Sequence, residues 1–91
     1  MQIEFDPRKA ATNLKKHAVA LGEAVGSLLD PLALVREDKA AEGEARFVLV
    51  GMSREGRLLT VCYTLRDEET IRLISARKAT AREERQYAQG I

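Results

Sequence analysis

Tryptophan is absent from this chain, which holds only two tyrosines and two phenylalanines. With so few rings, no strand face can form an aromatic platform for stacking nucleobases. One cysteine, Cys62, cannot build a disulfide framework or a cysteine zinc site within one copy, so a reducing, cytoplasmic setting is expected. One histidine, His17, rules against a histidine-rich metal centre, and no metal site or cofactor is expected. The signatures GxSxG, HExxH and a glycine-rich phosphate loop are all missing, which leaves serine triads, zinc peptidases and nucleotide-binding loops without support. No run approaches the ~20 apolar residues of a membrane span, and the opening MQIEFDPRK lacks a basic segment followed by an apolar one. Neither secretion nor membrane insertion is expected.

What is present fits one folded domain spanning residues 1–91. Hydrophobic residues make up 45% of the chain and charged residues 32%, the balance of a globular domain rather than a disordered one. A net charge of +1 conceals a division along the chain. Residues 1–20 carry four basic and two acidic groups, residues 21–70 six and ten, and residues 71–91 five and two. If the two ends meet in space, they form a basic face suited to a polyanion.

Local signals outline the elements. Ile3-Glu4-Phe5 alternates as a short strand, and Asp6-Pro7 then supplies an N-cap acceptor and a first-turn proline for a helix from Pro7 to His17. Leu21, Ala24, Val25 and Leu28 predict a second helix over Leu21–Leu29, closed by Asp30-Pro31. Strand character begins at Leu32–Val35, and the polar stretch Arg36–Ala45 reads as a loop. Phe47–Met52 and Leu58–Leu65 flank a Ser53–Arg57 turn, and Thr70–Ala76 forms a further run. Thr80-Ala-Arg-Glu83 is a capping box opening a last helix, which Gly90 ends near Gln89. The expectation is an α+β fold: an antiparallel meander of three to five strands, two N-terminal helices and one C-terminal helix, all laid on one face of the sheet.

With the standard signatures gone, chemistry falls to Arg, Lys, Glu, Tyr and His17. Arg72 projects from its strand opposite Leu73, and with Arg46 at the start of an earlier strand it can form a guanidinium clamp for phosphate, joined by Arg77 at the strand end. Salt bridges from these arginines to Glu44 and Glu83 are the commoner use of such residues. His17, near a helix C-terminus, is either a structural cap or a group that exchanges protons near neutral pH. Tyr87 is either packed with its hydroxyl bonded or stacked on a base. Cys62 reads as a small buried hydrophobe.

Taken together, Phe5-Asp-Pro-Arg-Lys9, Asn13-Leu-Lys-Lys-His17, Asp30-Pro-Leu32, Glu44-Ala-Arg-Phe47, Val61–Tyr63 and Arg72–Arg77 followed by Ala79, Glu83 and Tyr87 resemble the BrnT-type toxins. The resemblance implies a fold like the RelE group and metal-free RNA cleavage by an endoribonuclease. It also implies neutralisation by a BrnA-type ribbon-helix-helix antitoxin, which contacts DNA and with which the toxin represses its own operon. On that reading Arg46, Arg72 and Arg77 hold the phosphate, His17 or Glu44 is the base, and Lys9, Lys16, Lys78 and Tyr87 place the RNA. The alternative is a module that has lost cleavage and serves only as co-repressor. The chain departs from the family in having Phe5 where Trp is frequent, Ala18 where Gly is frequent, and Ala20-Leu21 where Ser and a bulky apolar residue are frequent, all around the first strand and the link between helices.

Overall fold

The carboxylate of Asp6 accepts a hydrogen bond from the Arg8 N–H at 2.8 Å, and Pro7 occupies the first turn, so helix α1 starts where the sequence predicts and spans Pro7–His17. The computed structural model describes residues 1–90. Strand β1 (Gln2–Glu4) precedes α1, and α2 (Leu21–Leu28) follows it. Four strands come next, β2 (Leu34–Asp38), β3 (Arg46–Met52), β4 (Leu58–Asp67) and β5 (Thr70–Lys78), and α3 (Ala81–Gln89) closes the chain.

The sheet runs β1-β5-β4-β3-β2. The four later strands form an antiparallel meander, as expected, but β1 adds to the edge in parallel with β5, pairing Gln2–Glu4 with Thr70–Arg72. Arg36–Asp38, read from sequence as loop, instead belong to β2. As the outermost strand, β2 exposes both faces in part, so its charged residues cost little and also discourage pairing with a stray chain.

Leu49 on β3, Leu59, Val61 and Tyr63 on β4, and Ile71, Leu73 and Ala76 on β5 form one core face, against which the α1–α2 link delivers Val19 and α2 delivers Leu21 and Ala24. Close approach of α2 depends on Gly51: a Cβ there would lie 2.5 Å from the Ser27 carbonyl oxygen. Phe47 and Tyr63 stack at 5.5 Å along one margin of this core.

Helix α3 departs from the expected arrangement. It lies over the opposite face, where Thr80, Arg82, Glu83 and Gln86 and the β2–β3 residues Leu34, Val35, Arg36, Val48 and Val50 enclose a 550 Å³ groove. No α3 residue is buried. Polar contacts hold it instead. The Glu83 carboxylate accepts from Thr80 N–H at 2.8 Å, Thr60 Oγ1 at 2.9 Å and Arg77 Nη1 at 2.8 Å, with Arg77 Nη2 on its second oxygen at 3.1 Å. The Arg77 guanidinium is the main cause that lowers the Glu83 pKa to about 2. Further along, the Tyr87 hydroxyl donates to Asp30.

At the other end of β5, β1 covers only Thr70–Arg72, and the edge beyond it would expose unpaired backbone groups. Asn13, 5% exposed, fills that gap. Its Oδ1 accepts from Ala76 N–H at 3.0 Å, while Nδ2 donates to the carbonyls of Ala76 at 2.9 Å and Val19 at 2.8 Å.

Three outcomes follow. Asn13→Ala leaves three buried backbone groups without partners and should lower stability by about 3 kcal/mol, read by chemical denaturation. Ala18, the C-cap of α1, sits at φ 57°, so Ala18→Gly should relieve strain and raise stability by about 1 kcal/mol. Because the Glu83 pKa is depressed from 4.5, its contribution is complete above that value and is lost as pH falls toward about 2. Thermal melts of Glu83→Gln should therefore fall less steeply than those of the parent chain between these pH values.

Candidate functional site

Strand register carries charged residues onto the face opposite α1 and α2. Glu4, Arg72, Thr64, Arg46 and Asp38 are successive partners across all five strands and form one row. A second row holds Arg36, Val48, Cys62 and Ser75, and a third, reaching under α3, holds Leu34, Val50, Thr60 and Arg77. A register shift between Cys62 and Tyr63 leaves Ile74 as an extra residue in β5, so Arg72, Ser75 and Arg77 all reach the same face.

Arg46 and Arg72 flank Thr64 at two interstrand spacings, roughly 10 Å between backbones. Both are exposed, and side chains of their length can close on one anion above the threonine. Thr64 itself is 2% exposed, and its hydroxyl donates to the Ala45 carbonyl at 2.7 Å, tying the segment ahead of β3 to the middle strand. Arg46 has no carboxylate within 4.0 Å among the described residues, nor has Arg36. Arg72 lies 4.0 Å from Glu4, whose oxygens are already engaged by Arg66 Nη1 at 3.0 and 3.1 Å. That arrangement positions Arg72 while leaving most of its donors available.

The remaining predicted residues are dispersed. Arg77 shares the face but is engaged bidentately by Glu83 beneath α3. Glu44 is exposed in the loop two residues ahead of Arg46. His17, Lys9 and Lys16 lie elsewhere, around a 370 Å³ cleft between α1 and β5 that Arg8, Thr12, Asn13, Ile74 and Ser75 also line. Lys78 is exposed at the end of β5, and Tyr87 is committed to Asp30, an interaction that raises its pKa.

Sequence reasoning missed Arg36, Thr64 and Cys62 on the open face. The alternation Leu34, Arg36, Asp38 was the signal for Arg36, obscured by the charges around it. Burial pushes the Cys62 thiol pKa up, which keeps it protonated and a poor nucleophile. Among the described residues, no three His, Cys, Asp or Glu side chains converge as metal ligands, and no helix is long and apolar enough to cross a membrane.

Comparison with known proteins gives this geometry a context. No curated protein matches the chain in sequence. The crystal structure of the Brucella abortus ribonuclease toxin BrnT is similar to it with a TM-score of 0.70 and 26% identity, covering 88% of this chain and 97% of that one. Residues 5–83 match the family described as ribonuclease toxin, BrnT, of type II toxin-antitoxin system. That span runs from the residue before the α1 N-cap to the Glu83 that fastens α3, so the chain belongs to the BrnT family of ribonuclease toxins of type II toxin–antitoxin systems.

Proposed function

We propose that the chain is a metal-independent endoribonuclease whose reaction takes place on the open sheet face. The observation that carries this reading is the row Arg72–Thr64–Arg46, in which two guanidinium groups flank one position on a face that neither N-terminal helix covers. In the proposed reaction the RNA 2′-hydroxyl oxygen attacks the adjacent phosphorus to give a 2′,3′-cyclic phosphate, while the bond to the 5′ oxygen breaks and that oxygen takes up a proton from water. Negative charge grows on the non-bridging oxygens as the phosphorane forms, and arginines fixed in advance stabilise it most where charge is greatest. Arg46 and Arg72 hold the phosphate, and Arg77 supports them from the neighbouring end of the face while it anchors α3.

Proton removal from the 2′-hydroxyl is assigned to Glu44, close in sequence to Arg46, or to His17, which lines the cleft between α1 and β5. Membership in a type II family implies an antitoxin. We assign that role to a BrnA-type ribbon-helix-helix protein, with DNA contacted only through the complex. Cleavage of cytoplasmic RNA by free toxin then arrests translation and growth.

Expression of the chain alone in a bacterium should arrest growth with loss of RNA. Arg46→Ala and Arg72→Ala should each lower the cleavage rate by about 10² to 10³-fold, the usual cost of removing one donor to a developing oxyanion, with circular dichroism and melting temperature little changed. A folded double variant that still arrests growth overturns the clamp. Normal growth with the unaltered chain points to the co-repressor module instead.

A further inference from the structure

The cleft between α1 and β5 is separate from the arginine row and has its own composition. Arg8, Thr12 and Lys16 follow one ridge of α1 at four-residue spacing, and Lys9, Asn13 and His17 follow the adjacent ridge. Among the described residues, no charged side-chain nitrogen of Arg8, Lys9, Lys16 or His17 has a carboxylate within 4.0 Å, the Asp6 carboxylate being bound to the Arg8 backbone N–H. Three of the chain's carboxylates are engaged with arginines elsewhere: Glu4 holds Arg66, Glu23 holds Arg57 and Glu83 holds Arg77. Like charges stacked along one helix without a counter-charge oppose folding, though weakly at an exposed surface. They become favourable when a polyanion lies along them.

The basic ridge extends from residue 8 to residue 16, about 12 Å along the helix axis, enough for more than one backbone phosphate. Its far wall is β5, where Ser75 borders the cleft and also belongs to the row beside Arg72 and Thr64 on the open face. The cleft therefore begins at Ile74, two residues along β5 from Arg72.

We propose that this cleft is a second binding site for RNA, taking the phosphodiester backbone of the single-stranded segment next to the cleaved bond, with Lys9, Lys16 and Arg8 as the anion contacts. The contact is with phosphates, so it is independent of sequence. It rests on the reading of the open face as the cleavage site only for the direction in which the strand runs.

The test uses the purified full chain and a fluorescent single-stranded oligoribonucleotide carrying a 2′-O-methyl block, so that binding is read without cleavage. Binding is measured across a salt series for the unaltered chain, K9Q/K16Q and K9R/K16R. For K9Q/K16Q the slope of log affinity against log salt should become shallower by about 1.4, about 0.7 for each phosphate contact removed from a single strand. K9R/K16R should restore it. On an unblocked oligonucleotide the loss should fall on KM rather than on kcat. An unchanged slope and affinity in K9Q/K16Q overturns the proposal, as does a loss confined to kcat, which would place Lys9 and Lys16 in the chemistry. An equal loss of binding to a paired RNA helix also overturns it. If the unaltered chain cleaves nothing but binds with the expected slopes, the second site stands and the nuclease reading fails.

Discussion

One carboxamide joins the two halves of this molecule. Asn13 on α1 completes the backbone bonding of Ala76 on β5 and at the same time holds the carbonyl of Val19, the residue that leads into α2. An exposed strand edge is ordinarily protected by another strand or by charge. Here β1 is too short to do so, and a side chain of the neighbouring helix supplies a donor and an acceptor in a strand's place. The placement of α1, the course of β5 and the cleft between them all depend on that contact. So does the row of arginines, because Arg72 and Arg77 take their positions from the same strand.

The two sides of the sheet are put to different uses. The face under α1 and α2 is apolar and closed, with Gly51 admitting α2 to close range of the Ser27 carbonyl. Its opposite face bears threonines, arginines and a half-buried thiol, and α3, none of whose residues is buried, is fastened there by the hydrogen bonds of Glu83. Apolar burial therefore secures one layer, and a few charge-assisted hydrogen bonds secure the other. Such bonds respond to pH and salt in a way that the core does not.

Local chemistry made much of this visible beforehand. Asp6-Pro7 located the start of α1, the Thr80–Glu83 box opened α3, Gly90 ended it, and the Ser53–Arg57 turn separated β3 from β4. Arg46 and Arg72 were recognisable because a charged side chain in an apolar strand demands a reason. What stayed hidden was long-range. Three residues of β1 carry no sign that they will pair in parallel with Thr70–Arg72. Nothing near Asn13 announces that its partner lies 63 residues away. The side of the sheet chosen by α3 follows from Glu83 meeting Thr60 and Arg77, a choice that no periodicity within the helix records.

The parallel pairing of β1 with β5 has a bearing on how the protein comes into being. Gln2–Glu4 find their sheet partners only after Thr70–Arg72 have been made, and the carboxylate beside Arg72, that of Glu4, belongs to β1. Closing so large a loop is slow compared with forming helices or hairpins. Arg72 thus gains its neighbour Glu4 only once β5 has been made, and the β1–β5 edge is a late part of the sheet to assemble.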